Sequence, residues 1–466
     1  MTHTATSEQL VEAQRAYFNS GATRPVAFRI EQLTRLKKAI LAREKEIIAA
    51  AKADLGKGDF EAFTTEMVLV LYEINYVIRK LHGWAKARTT SPGLFNLPSK
   101  ARVHHDPHGV CLIMSPWNYP FQLSLMPVVG AIAGGNTIIL KPSAYSPATS
   151  HLVATLIGDT FPREYIAAIE GGRQVNQDLL SCRFDYIFFT GSVAVGKLVM
   201  ESAARHLTPV TLELGGKSPC IIDKSADIDM SAKRAAWGKC INSGQTCVAP
   251  DYFLVHQDVH EAFIKRFLFY VERFYGKDPH QNDEFPRIIN EHHFKRLCTH
   301  ITEAQKAGGT LAGGGRNNPE ALKIEPTVID GVSWDSPLMQ EELFGPIAPI
   351  ITWTDEKQLI QKILDRPRPL ALYLFSTDSK QQKRIMAAIP FGGGCINDTI
   401  MHVATHTVPF GGTGESGMGG YHGKASFLTF TRSKPVIEKP FAIDVPLRYA
   451  PFAGKYRFWR KFLFTR

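Results

Sequence analysis

Two rhythms of apolar and polar residues alternate along the chain. Over residues 31–53, apolar positions recur at Leu33, Leu36, Ile40 and Ile47 with charges between them, which is the spacing of one buried helical face. Short apolar runs then take over at 110–114, 137–140, 186–189, 210–214, 219–222 and 252–255. Helical stretches such as 195–205 and 231–240 separate the later runs. Strands alternating with helices are what βαβ units produce, so the pattern predicts a parallel, doubly wound α/β sheet. Residues 109–140 contain no charge and are long enough to cross a bilayer. Pro116, Asn118, Pro120, Gln122, Pro127, Gly134, Gly135 and Asn136 interrupt that stretch, and each break would leave backbone groups unsatisfied in lipid. Two buried strands joined by a short buried helix account for it better.

Composition narrows the class. At 466 residues the chain exceeds one ordinary core and predicts two or three packed domains. With 44% hydrophobic and 21% charged residues it is globular. Lys and Arg exceed Asp and Glu by 54 to 44, a formal charge of +10. Six of the basic residues fall in the last 19, from Arg448, where no acidic residue occurs and where Tyr449, Phe452, Tyr456, Phe458, Trp459, Phe462 and Phe464 are interleaved. The surplus therefore describes one tail more than a nucleic-acid surface. Seven cysteines, at 111, 182, 220, 240, 247, 298 and 395, form no CxxC pair. This argues against a disulfide framework or a zinc cage and for a reducing compartment. Residues 1–10 include Glu8 and no apolar run, so no secretory leader is read there. Candidate joints are 89–99, the turn near Pro209 and the glycine-rich 391–423.

Two phosphate motifs match only superficially. Gly412, Gly414 and Gly417 satisfy GxGxxG, but no adequate strand precedes them, so a turn is the better reading. Residues 191–197 satisfy GxxxxGK, yet Leu198 stands where a P-loop needs a hydroxyl for magnesium. The local order is still informative. A strand at 186–189 runs into Thr190, Gly191 and Ser192 before a helix, a geometry that aims free N–H groups and the positive helix end at an anion. A plain tight turn is the alternative.

Candidate chemistry clusters at three further places. Cys247 follows the glycine-containing Asn242-Ser-Gly-Gln-Thr, a loop able to present a thiol with little cover. An inert core cysteine is the competing interpretation, and Cys240, ending a helix beside Trp237, is read that way. Glu213 ends an apolar strand before Leu214, Gly215 and Gly216, where a desolvated carboxylate acquires the raised pKa of a general base. The competing reading is a strand-edge residue facing water. Asn118, in Pro-Trp-Asn-Tyr-Pro after a buried strand, offers a neutral amide donor for an oxyanion.

Taken together, the chain resembles the aldehyde dehydrogenase superfamily along nearly its whole length. The matching stretches are 116–121 (PWNYPF), 135–143 (GNTIILKPS), 189–192 (FTGS), 213–217 (ELGGK), 244–247 (GQTC), 341–346 (EELFGP) and 409–412 (PFGG), in the family's order. The short N-terminus and the ending 417–424 (GMGGYHGK) before Phe427 and Phe430 look most like the class 3 and fatty-aldehyde branch. The resemblance implies an aldehyde dehydrogenase-like α/β fold. Its parts would be a Rossmann-type cofactor domain (1–81 and 106–208), an α/β catalytic domain (209–405), bridging or oligomerisation segments (82–105 and 406–440) and a basic aromatic tail (441–466). It implies NAD(P)-dependent oxidation of an aldehyde to the acid, with Cys247 as nucleophile, Asn118 at the oxyanion and Glu213 activating water. Cofactor contacts would fall on Lys141, Ser143, Thr190, Gly191, Ser192, Gly196, Leu214, Gly215, Glu342 and Phe344. Many NAD-preferring members carry a glutamate after Lys-Pro-Ser; here Ala144 stands there, which removes both a ribose partner and a repulsion against a 2′-phosphate, so NADP is expected to be accepted.

Medium- or long-chain aliphatic or aromatic aldehydes, a homodimer and a cytoplasmic location complete the expectation, with no nucleic acid and no metal. The tail suits either peripheral contact with anionic lipid or packing on its own dimer. A CoA-acylating or acyl-phosphate-reducing relative is the close rival, but those reactions need no water-activating base, and Glu213 stands in its full motif. A basic membrane- or RNA-binding protein with a vestigial site is the distant one.

Overall fold

The computed structural model describes residues 3–444 and 446–464; Val445, Thr465 and Arg466 of the tail, and Met1 and Thr2, lie outside the described residues. Two large sheets carry the architecture. The first has six strands in the order Gly417–Met418, Val210–Glu213, Tyr186–Thr190, Val110–Met114, Thr137–Lys141, Ile166–Ala168. All neighbours are parallel except Gly417–Met418, which runs antiparallel along Leu212 and Glu213. The chain fills one side of Val110–Met114 and then returns to its other side with Tyr186–Thr190, so the strand order reverses there. Crevices at the carboxyl ends of strands beside such a reversal are where open α/β sheets bind ligands.

The second sheet has seven strands, ordered Thr310–Gly313, Thr327–Asp330, Ile347–Trp353, Tyr252–His256, Pro219–Ile222, Ala371–Phe375, Gly393–Ile396. It is parallel apart from its Thr310–Gly313 edge. Strand interiors such as Val110–Met114 and Pro219–Ile222 are buried throughout, which explains their unbroken apolar runs.

The uncharged stretch resolves as read from the sequence: strands Val110–Met114 and Thr137–Lys141 flank a helix, Pro120–Gly134, whose 15 residues are all buried. Pro120 and the Glu66 carboxylate start this helix. Glu66 Oε2 accepts the N–H groups of Phe121 (3.1 Å) and Gln122 (3.0 Å), satisfying two donors that no helical carbonyl reaches. No helix among the described residues is long and apolar enough to cross a membrane.

One element departs from expectation. The single helix over 31–53 is two helices, Val26–Ala42 and Glu44–Leu55, broken at Arg43 (φ −115°). Leu33, Leu36, Ile40 and Ile47 are nevertheless all fully buried. The break turns the second helix onto Pro147–Thr160, where Asp54 caps Ala148 N (3.0 Å) and Thr149 N (2.8 Å). Arg43 meanwhile pairs with Asp159. Tertiary capping overrides a continuous helical period.

The chain divides into two compact units: the described parts of 1–84 with 107–432, which hold both large sheets, and of 85–106 with 433–466. Within the smaller unit, Arg88–Thr90 pairs antiparallel with residues of Lys100–Pro107, and the helix Lys455–Phe464 buries none of its residues. Tyr456, Phe458, Phe462 and Phe464 of that helix stand exposed, and Trp459 lies 5.3 Å from the Phe95 ring.

Candidate active site

The register of the first sheet aligns Met114 with Lys141 and with Phe189, and Thr190 with Glu213. Every segment leaving that edge carries a candidate residue: Asn118, Ser143, Gly191 with Ser192, and Leu214 with Gly215. Sequence-distant motifs thus meet because parallel strands end together.

Cys247 is presented by a clamped loop. Asn242, Ser243 and Gly244 occupy left-handed backbone in succession (φ 51°, 51° and 71°), a conformation costly for the first two residues. Buried hydrogen bonds hold it. Gln245 Nε2 reaches Asn242 O and Arg287 O (both 3.0 Å), Gln245 Oε1 accepts Ile289 N (2.9 Å), and Ser243 Oγ donates to Pro286 O (2.5 Å). A Cβ at Gly244 would lie 2.3 Å from Gly345 O, so glycine is required by both its φ and its space. Cys247 is half-buried and lines a cavity of about 380 Å³ with Tyr119, Trp237, Ile400, Phe410 and Tyr421. Burial and the neighbouring Glu342 and Glu213 charges push its thiol up to about 12, opposed by the Cys247 and Val248 N–H groups. Its place is therefore on a cavity wall and not within the packed core.

Asn118 is buried, and its Nδ2 donates to Gln245 O (3.1 Å), two residues before the thiol. Among the described residues this bond uses one of its two amide N–H groups and leaves the other for a further acceptor. Asn118 O accepts from Asn242 Nδ2 (2.8 Å) and Lys57 Nζ (3.2 Å). Lys57 and Glu66, both fully buried, pair at 2.5 Å beneath this turn. Glu213 is 3% exposed, and neither carboxylate oxygen has a hydrogen-bond partner among the described residues. Desolvation alone holds its pKa well above the ordinary range. The solvent-facing strand-edge alternative is thereby excluded.

The cofactor candidates gather along the same edge. Lys141 is 3% exposed, donates to Pro142 O (2.7 Å) and is lowered to about 8 by burial against the pull of Glu170. Ser143 Oγ accepts Tyr145 N (3.2 Å), while Ala144 is exposed. Thr190 Oγ1 is buried without a partner among the described residues. Ser192 caps the helix Val193–Ala204 through Val195 N (3.4 Å), and Gly191 lies in the turn between strand and helix. A Cβ at Gly196 would come within 2.6 Å of the Leu214 side chain, so glycine lets the helix lie against the strand end without displacing that leucine. At Gly215 the same atom would sit 2.0 Å from Glu342 Oε2. Gly215 and Glu342 line a second cavity of about 270 Å³ with Val193. Burial and Asp251 raise Glu342 to about 8, opposed by the Gly216 N–H, Lys217 and Arg296. Lys217 fixes this segment by pairing with Asp251 and donating to Leu338 O and Glu341 O (both 2.8 Å). Phe344 (φ 51°) meets Trp117 edge-on at 5.3 Å. A capped helix end, a buried lysine and an unpartnered threonine hydroxyl at one edge fit a dinucleotide.

Sequence reasoning missed Lys57, Glu61, Glu66 and Glu284. They lie in polar stretches, and the signal that distinguishes the first group is conformational. A π-helical turn, Phe63–Val68, carries Thr64 and Thr65 to the cavity and Glu66 to Lys57. Asp278, His280 and Glu325 also lie together, but Arg316 already bridges both carboxylates.

Residues 2–436 match the family model described as the aldehyde dehydrogenase family. The chain belongs to the aldehyde dehydrogenase family. This aldehyde dehydrogenase is 44% identical to the 4,4′-diaponeurosporen-aldehyde dehydrogenase of Staphylococcus aureus over 98% of each chain. It is 43% identical to a dimeric NADP-preferring aldehyde dehydrogenase from Canis lupus familiaris, over 96% of this chain and 98% of that one. The solved substrate-bound state of Staphylococcus aureus AldH superposes with a TM-score of 0.95 at 43% identity, covering 98% of this chain and 99% of the other. The dehydrogenase therefore has the family's α/β fold and carries out NAD(P)-dependent oxidation of an aldehyde to a carboxylic acid.

Proposed function

We propose that Cys247 is the nucleophile, Asn118 the oxyanion donor and Glu213 the base that activates water. One observation carries this reading: Cys247 opens on the 380 Å³ cavity while its ionisation is coupled to Glu213 and Glu342 and its loop is bonded to Asn118. The thiolate adds to the aldehyde carbon, and the remaining Asn118 N–H with the Cys247 N–H takes the charge that develops on oxygen. Oxidation of this thiohemiacetal to a thioester needs a hydride acceptor, which is the chemistry a nicotinamide dinucleotide supplies when bound. Glu213 then removes a proton from the water that attacks the thioester, and the acid departs as the thiolate is restored. Glu213 suits this role because desolvation raises its proton affinity above that of an ordinary carboxylate, which makes its ionised form a stronger base toward water.

Lys141, Ser143, Thr190, Gly191, Ser192, Gly196, Leu214, Gly215, Glu342 and Phe344 would hold the dinucleotide. In this division 1–81 with 106–208 is the cofactor domain, 209–405 the catalytic domain, and 82–105 with 406–440 the bridging element. The dog relative's description as dimeric supports a homodimer. Exposed Ala144, together with that relative's NADP preference, supports acceptance of NADP. Ala144→Glu is expected to lower kcat/KM with NADP by about tenfold or more relative to NAD, through lost space and added repulsion. An unaltered ratio of the two cofactors in initial-rate assays would remove Ala144 from the explanation.

The apolar lining of the cavity suits medium- or long-chain aliphatic or aromatic aldehydes. The exposed aromatic and basic residues of Lys455–Phe464 support peripheral contact with anionic lipid by an otherwise cytoplasmic enzyme. Full-length protein is expected to float with phosphatidylserine-containing vesicles, and a chain cut before Arg448 to remain in the dense fraction. Equal partition of the two would assign the tail to protein packing.

A further inference from the structure

The charge lining the thiol cavity is one-sided. Glu61 and Glu284 both border it, and its described lining residues include no lysine or arginine. His422, the histidine of the lining, is pushed down to about 4 by burial and is neutral at working pH. Phe60 (76% exposed) and the exposed Glu284 mark the mouth, with the half-buried Glu61 one residue beyond Phe60. The two carboxylates border one short segment: a Cβ on Gly58 would lie 2.0 Å from Glu284 Oε2, and Glu61 belongs to the helix Asp59–Ala62 that follows. Glu61 Oε1 accepts the Asn242 N–H at 2.9 Å, so its position is tied to the loop that presents Cys247.

We infer that Glu61, backed by Glu284, makes the cavity reject aldehydes bearing a distal carboxylate. The inference rests on the reading of this cavity as the aldehyde's path to Cys247. An anionic tail would have to displace water beside a carboxylate in a largely apolar channel, where screening is weak. The acid product leaves past the same two groups, and the repulsion that bars an anionic substrate favours its departure.

Protonation sets how strongly the filter acts. Burial raises Glu61 to about 7, helped by Glu66 and Glu284 and opposed by Lys57 and the Asn242 N–H. Tyr119 and Tyr275 also feel the Glu61 charge, but burial holds both phenols neutral. Below neutrality Glu61 is uncharged and the filter weakens; as pH rises through about 7 it becomes an anion and the filter strengthens.

The test compares kcat/KM for 6-oxohexanoate and for its methyl ester, two aldehydes with the same six-carbon chain, one anionic and one neutral. Titration of Cys247 and Glu213 divides out of the ratio, because both substrates meet the same thiol and base. In the full-length enzyme the ester is expected to be preferred at least about 30-fold at pH ~8.5, with a preference several-fold smaller at pH ~6. Glu61→Gln keeps an acceptor oxygen for the Asn242 N–H and removes the charge. It is expected to compress the alkaline ratio about tenfold and flatten its pH dependence, whatever it does to either rate alone. Glu284→Gln compresses it less. A wild-type ratio near one, or an unchanged ratio in Glu61→Gln, would overturn the charge filter while leaving the thiol chemistry standing. Wild-type turnover in Cys247→Ser would instead overturn the site on which the inference rests.

Discussion

Cys247→Ser is expected to lower kcat/KM by at least about 10⁴-fold on every aldehyde tested, with the fold intact. A serine hydroxyl fits the half-buried site, so the loop and its hydrogen bonds to Arg287, Ile289 and Pro286 should survive. What disappears is the ionisable group. No residue around Cys247 is a strong base toward an alcohol: Glu213 and Glu342 are carboxyl groups, and even their raised proton affinity falls far short of an alkoxide's. A serine alkoxide would be far harder to form than a thiolate, and its ester a poorer acyl donor to water. Steady-state cofactor reduction measures the loss, and an unchanged thermal transition shows that it is chemical.

The second large effect is expected from Glu213→Gln. Removing the base should slow deacylation by on the order of 10²–10⁴-fold and leave acylation faster than release. Cofactor reduction then shows a burst equivalent to one turnover per site, followed by a slow steady phase. The same substitution should stabilise the protein at neutral and alkaline pH. Glu213 is buried without a partner among the described residues, so its folded pKa lies far above the unfolded carboxylate value of about 4.3. A raised acid pKa means that the folded state binds the extra proton, and stability falls as pH climbs from the unfolded value toward the folded one. Gln carries no such penalty. The variant's melting temperature should exceed the wild type's at pH ~8, with the gap narrowing toward pH ~5.

The strands, and the placing of the candidate residues at their ends, were legible because burial writes itself into composition. Val110–Met114, Pro219–Ile222 and Tyr252–His256 are buried on both faces, and no polar residue can interrupt such a strand without finding a partner. Asn118, Glu213 and Cys247 were recognisable individually as chemistry beside glycine or proline turns, and only the order of the motifs made them one site. Glu61, Lys57 and Glu66 were not legible. Their placement depends on the π-helical turn at Phe63–Val68 and on contacts with segments 55 to 181 residues away, which no local period records. The helix break at Arg43 escaped for the same reason: the apolar period runs through it, while the Asp54 cap that favours it reaches residues more than 90 positions on.

The covalent acyl-enzyme on Cys247 is the centre of this account, and intact-protein mass spectrometry of rapidly quenched Glu213→Gln tests it most directly. After mixing with excess hexanal and oxidised cofactor, the protein should gain the mass of one hexanoyl group, mapped by proteolysis to the peptide containing Cys247 and released by hydroxylamine. The Glu213→Gln/Cys247→Ser double variant should gain nothing. An acyl group on another cysteine, or a full burst of cofactor reduction with no acyl protein at any quench time, would contradict it.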